Sequence, residues 1–157
     1  MRYKIATLFA LAAAALTAPA QAEELRVEAR GGVVFSGGSE EATIGGAIGF
    51  DGEAAGPVFI GAELSLDQIL QDGTDLVVGA SARVGVAATE AVKVYATGGW
   101  ASSPCDVFCS DAWTAGAGAQ LALGGNLYAK AEYRHFFPTK GAFNEPDAVV
   151  VGLGVQF

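Results

Sequence analysis

The stretch from 149 to 157 constrains the fold more than any other: Val-Val-Val-Gly-Leu-Gly-Val-Gln-Phe. Apolar side chains recur at 149, 151, 153, 155 and 157, so one face of an extended segment is apolar throughout and carries an aromatic at its end. An unpaired strand edge of this kind templates aggregation in water. Closing a barrel removes the edge, and bathing the outward face in lipid makes its apolar character favourable. Together these predict a strand of a membrane-spanning barrel.

The opposite end agrees. Arg2 and Lys4 precede an apolar run from Ile5 to Leu16, and Ala20-Gln21-Ala22 follows. A basic start, a short apolar core and small residues at the end describe a secretory signal peptide over 1–22, with the barrel domain at 23–157. The run falls short of the ~20 residues a membrane-spanning helix needs, and Pro19 lies just beyond it. An exported chain can oxidise its two cysteines, which makes Cys105 and Cys109 a candidate disulfide. So small a loop gains little chain entropy from closure, so the bridge would serve to shape a loop tip.

Period-two alternation between turn residues recurs along the chain. It predicts eight strands, at 25–35, 42–51, 58–67, 75–87, 92–100, 112–122, 127–137 and 148–157. Most reach the ~9–11 residues that a tilted strand uses to cross a bilayer. Eight is the smallest common count for such barrels, and bacterial ones have even counts. The connectors after strands two, four and six are short or Gly-rich (52–57, 88–91, 124–126). Those beginning at Gln68, Ala101 and Pro138 are polar and mostly longer. The first connector on that side, Ser36 to Glu41, is short. Short periplasmic turns and longer external loops would put both termini on the periplasmic side.

The faces divide by charge. One carries Val27, Ile44, Ile60, Leu64, Val84, Ala96, Ala117, Val151 and Leu153, with no charge. The other carries Arg26, Glu28, Arg30, Glu63, Arg83, Lys93, Lys130, Glu132 and Arg134. Alternation alone permits two orientations, because a soluble lipocalin-like barrel would put the apolar face inside. Glycine discriminates between them. Gly45, Gly49, Gly61, Gly85, Gly116, Gly118, Gly152 and Gly154 share the charged face. Glycines weaken a solvated strand, but they make room for long side chains in an eight-stranded interior. The charged face is therefore expected inside, its opposite signs paired because an unpaired ion in a confined lumen is costly. Glu132 is expected among Arg and Lys neighbours with Glu28 or Glu63, and Tyr95, Tyr128 and Phe59 are expected to help plug the bore. Aromatics on the apolar face fall at strand ends: Phe35, Trp100, Trp113 and Phe137 on one side, Phe50 and Phe157 on the other. Such placement predicts two interfacial girdles.

Charge and motif content exclude several chemistries. Nine basic residues less Arg2 and Lys4 leave the exported chain strongly acidic against 17 acids, which disfavours nucleic acid as a partner. One histidine and two cysteines do not make a zinc site, and Gly116-Ala117-Gly118 lacks the third glycine of a nucleotide fingerprint. No catalytic, metal or cofactor residues are assigned. The enzyme alternative is a barrel that acylates or deacylates lipid A. It would need a base beside a nucleophile, but His135 is followed directly by Phe136 and Phe137 and its nearest downstream hydroxyl is Thr139. Parity turns His135 outward near the external girdle.

With these residues in view, the chain resembles the opacity-protein / outer-membrane protein A-like family of small bacterial outer-membrane barrels. Residues 116–157 carry the resemblance. Gly116-Ala117-Gly118-Ala119-Gln120-Leu121-Ala122 leads through Gly125-Asn126 into Leu127-Tyr128-Ala129-Lys130-Ala131-Glu132-Tyr133-Arg134. Its Glu132-Tyr133-Arg134 is similar to that family's penultimate strand. Val155 and Phe157 resemble the C-terminal signal read by the barrel-assembly machinery. The resemblance implies an integral protein of the outer membrane of a Gram-negative bacterium. Outer-membrane lipid and lipopolysaccharide would surround it, and assembly machinery and periplasmic chaperones would be partners during biogenesis. The implied role is structural, adhesive or surface-exposed, with no ligand identified. The competing readings are a narrow porin-like channel, the lipid-modifying enzyme and a soluble periplasmic β-barrel.

Overall fold

A computed structural model describes residues 24–104, 110–140 and 145–157. The signal-peptide expectation (1–22) and the Cys105–Cys109 pair lie outside the described residues. Eight strands follow one another: β1 Glu24–Ser36, β2 Ser39–Ala55, β3 Val58–Ile69, β4 Leu76–Ala87, β5 Val92–Ala101, β6 Ala112–Gly124, β7 Leu127–Pro138 and β8 Asp147–Gln156. Each pairs antiparallel with its sequence neighbours, and β1 pairs with β8, so the sheet is a closed barrel. Beyond the last strand residue, Leu25 and Phe157 exchange two further backbone hydrogen bonds, of 3.1 and 2.9 Å, across the same seam. Closure pairs the backbone along the whole ring, which a hydrocarbon environment demands.

Two strand ends differ from expectation. The expected connector from Ser36 to Glu41 contracts to Gly37-Gly38, because β1 and β2 pair as far as Ser36 and Ser39. Both glycines have positive φ, at 58° and 87°. Two consecutive left-handed residues form the tight hairpin whose twist matches its flanking strands, and side chains other than Gly, Asn or Asp rarely permit it. At the other end β2 runs on to Ala55, with an irregularity between Glu53 and Ala55. Asp51 is thereby inside the sheet rather than at its rim. The connectors at the end where β1 begins and β8 stops are short, whereas those after β3, β5 and β7, at the opposite end, are longer in sequence.

The orientation of the sheet decides between the two barrels. Arg26 is 1% exposed while Leu153 is 64% exposed. Ile44, Ile60, Val84 and Val151 also stand outside, whereas Glu28, Arg30, Glu63, Lys130 and Glu132 are buried. The lipocalin-like orientation is overturned. The glycines make this arrangement possible by their place in the register. Gly49 sits laterally between Arg26 and Glu63, and Gly118 between Tyr95 and Glu132. A Cβ at Gly49 would lie 2.5 Å from Nη2 of Arg26, and one at Gly118 would lie 2.6 Å from the Tyr95 hydroxyl. Gly154 makes the same room for the Tyr128 hydroxyl. Long interior side chains lie down across the bore only because their lateral neighbour has no side chain.

Candidate functional site

The barrel interior holds the chain's concentrated chemistry. Glu63, on β3, is its hub. Arg30 Nη1 and Arg134 Nη2 donate to it at 3.0 and 3.1 Å, and Lys130 Nζ donates at 3.0 Å. Arg26 Nη1 completes the shell at 3.5 Å. Four cations from β1 and β7 thus converge on one carboxylate reaching across the bore. Glu132, expected among Arg and Lys neighbours with Glu28 or Glu63, accepts from Arg134 Nε and from the Tyr95 hydroxyl at 2.8 Å, with Lys130 at 3.9 Å, and so shares both cations with Glu63. Glu28 accepts from the Tyr128 hydroxyl at 2.9 Å and pairs with Lys130 at 2.6 Å. Parity speaks only to the faces that side chains take. Only the register decides which of them meet.

A second cluster lies toward the termini. Asp51 is bound by Arg83, whose Nε donates at 2.8 Å, and lies 3.3 Å from Arg26 Nε and 3.8 Å from Lys93 Nζ. Lys93 also donates to Glu24 at 2.7 Å. The Arg83 guanidinium stacks over the rings of Tyr95 and Phe59, 4.7 and 5.2 Å from their centroids, and its Nη2 reaches Gln120 at 3.2 Å. Gln120 passes the contact on to Gln156 at 3.1 Å. Toward the long-loop end, Asp67 is gripped by Nε and Nη2 of Arg30. Inward parity extends the expected cluster to Asp51 and Asp67 at the strand rims and to Gln120 on the same face, whereas Glu24 precedes the expected first strand.

Opposite charges therefore alternate from Glu24 near the termini to Asp67 near the long loops. Removing ions from water costs several kcal/mol each, and the close pairing offsets that cost. Lys130 and Glu63 side chains are almost wholly shielded from solvent, so the middle of the network is dry.

Outside, the structure groups the end aromatics. Trp100 pairs with Trp113, and Trp113 with Phe137, across β5, β6 and β7 at the long-loop end. At the terminal end Leu25 lies beside both Phe50 and Phe157. Phe35 and Phe157 point outward, exposed. Tyr133 was not anticipated on this face: it is exposed near the middle of β7, and its hydroxyl donates to Asp147. His135 faces outward as expected, edge-on to Phe137 at 4.5 Å between centroids. Its ring nitrogens lie 2.8 Å from Asp147 and 3.3 Å from Glu145.

Comparison with known proteins supplies an independent line. The family model for the outer membrane protein beta-barrel domain matches residues 6–157. The N-terminal β-barrel domain of Pseudomonas aeruginosa OprF aligns with a TM-score of 0.65 at 16% identity, covering 87% of this chain and 98% of that one. Ail, the attachment invasion locus protein of Yersinia pestis, gives 0.56 at 16%, covering 87% and 99%. Neisserial surface protein A gives 0.55 at 15%, covering 85% and 94%. No curated protein sequence matches. At these identities the structures speak for the fold alone.

Proposed function

We propose a function from one premise: the chain belongs to the outer membrane protein beta-barrel domain family, and it resides in the outer membrane. On that premise the barrel is a closed scaffold, held shut by ion pairs, that presents its long-loop end at the cell surface in a structural or adhesive role. The observation that carries this reading is the convergence of Arg26, Arg30, Lys130 and Arg134 on Glu63 across the middle of the bore. A hydrated ion passing that level would have to break several buried pairs at once. Each break strands a charge in a dry interior.

Surface presentation follows from the placement of the connectors. The short turns and both termini share one end, as periplasmic ends do, and the longer connectors share the other. The names of two structural relatives, a surface protein and an attachment protein, are compatible with a surface role. Ail has also been solved with the heparin analogue sucrose octasulfate. A polyanion of that kind suits this chain poorly. Its long-loop end carries Glu40, Glu41, Asp72, Asp75, Asp111, Glu145 and Asp147 against Lys140. The adhesive reading therefore points to a neutral or cationic surface partner.

Planar-bilayer recording tests the closed scaffold. Purified barrel should leave the membrane without a steady open level, whereas sustained ohmic conductance at neutral pH would remove the proposal. Glu63→Ala, which deletes the hub, should raise conductance if the same protein still inserts.

A further inference from the structure

Above the charge network the bore does not fill. A cavity of about 270 Å³ occupies the long-loop end of the interior. Its walls are mostly apolar, drawn from Val34, Ile69, Val77, Phe136, Ala148 and Val150 with scattered Ser and Thr hydroxyls, and Arg30, Asp67 and Arg134 lie at its floor. An apolar enclosure of about 150 Å³ already accepts a benzene ring. This chamber therefore has room for a substituted ring or a short alkyl chain. Apolar walls with a few convergent polar groups are the ordinary composition of a small-molecule site.

The floor specifies what the polar end of an occupant must offer. Arg30 spends Nε and Nη2 on Asp67 and Nη1 on Glu63. Arg134 spends Nε on Glu132 and Nη2 on Glu63, which leaves Nη1 without a partner among the described residues. Nη1 of Arg134 is thus the one floor nitrogen not committed to a carboxylate, the hydroxyls of Ser36, Thr43, Ser65, Ser102 and Ser110 also line the chamber, and the carboxylates around the floor already hold counter-charges. The floor has no surplus positive charge to attract an anion. The rim opposes one as well, since the described connectors carry Asp72, Asp75, Asp111 and Glu145 against Lys140.

We propose that this chamber binds a small uncharged amphiphile: an apolar ring or chain carrying one hydrogen-bond acceptor, such as a carbonyl, directed at Nη1 of Arg134. The apolar part displaces water from the Val77, Phe136 and Val150 walls, and the acceptor meets the open guanidinium donor. The site goes beyond the closed-scaffold reading and does not depend on what the outer loops grip. Conductance reports on the pairs around Glu63 and occupancy reports on the chamber, so each idea can fail alone.

Acetophenone and benzoate form a discriminating pair of probes, alike in size and differing in charge. The barrel purified from membranes, methyl-labelled at Ile, Leu and Val and held in lipid nanodiscs, is titrated with each and followed by NMR. Saturable shifts are expected at Ile69, Val77 and Val150, none at the lipid-facing Val27, Val151 and Leu153, and benzoate should bind at least roughly tenfold more weakly. Ala148→Leu fills the chamber and should abolish the saturable shifts. Should that variant fail the boiled-versus-unboiled gel, Ala101→Leu fills the chamber from another wall. Arg134→Lys keeps the charge but loses the planar donor, and should weaken acetophenone by roughly tenfold. Shifts confined to lipid-facing methyls, benzoate binding as tightly as acetophenone, or affinity unchanged in the filled variants would each overturn the assignment.

Discussion

Glu63 shows how one side chain can hold a barrel interior together. Its carboxylate meets four cations from two strands that lie far away in sequence, so its removal leaves four charges short of a partner in a dry space. Glu63→Gln preserves shape and removes the charge. It should cost about 3–5 kcal/mol, the usual penalty for breaking a buried ion pair from one side. Urea titration of vesicle-folded protein measures that cost. Glu53→Gln, at an exposed position on the same charged barrel, should stay within about 0.5 kcal/mol. Equal costs for the two would mean that the network contributes nothing specific. The sequence shows that Glu63 points inward but not that it is the hub. Inward parity is a property of one strand, whereas the meeting of Glu63 with Lys130 and Arg134 depends on register and tilt around half the ring. Lys130 and Arg134 stay beside Glu132 on their own strand and at the same time reach across the bore to Glu63 on β3.

Strands were the most legible elements because two independent patterns fall on the same residues: apolar side chains on one parity, charges and glycines on the other. The strand count, the pairing order and the side facing lipid all follow from it. Strand ends were less legible where the alternation ran into polar residues or glycine. β2 continues through Gly52 and Glu53, which look like connector in sequence, so the expected strand stops at residue 51. The Gly37-Gly38 hairpin was hidden in the same way, since Ser39, Glu40 and Glu41 pair as strand despite their polarity. Ala117 offers a direct test of the element as a lipid-facing ribbon. It lies mid-strand in β6 with Ala96 and Tyr133 as lateral neighbours, and it is exposed. Ala117→Arg should destabilise the vesicle-folded barrel by about 2–4 kcal/mol, as a charge at the bilayer midplane does. Gln at the same position should cost less. Indifference to both would mean that water, not lipid, meets β6.

At the scale of the whole molecule, closure is one event that depends on Phe157 in two separable ways. The Phe157 backbone both donates to and accepts from Leu25, so it pins the end of the β1–β8 seam. The Phe157 ring takes no part in that pairing: it is 68% exposed, beside the terminal-end aromatics. A ring needed only for stability would matter equally whenever the barrel folds. A ring read by assembly machinery, as the resemblance of Val155 and Phe157 implies, would matter only in cells. Phe157→Ala keeps the seam's backbone pairing and removes the ring. Refolded from urea into vesicles, this variant should still migrate as a compact, heat-modifiable barrel, with a stability loss of about 1–2 kcal/mol at most from the lost apolar contact. Expressed in cells, it should reach the outer membrane at a small fraction of the wild-type level. Deleting Phe157 altogether removes the two hydrogen bonds as well and should impair both. If Phe157→Ala refolds as poorly as the deletion, the ring is part of the seam's structure rather than a signal. If it assembles normally in cells, the C-terminal aromatic carries no assembly information in this barrel, and closure is driven by β1–β8 pairing alone.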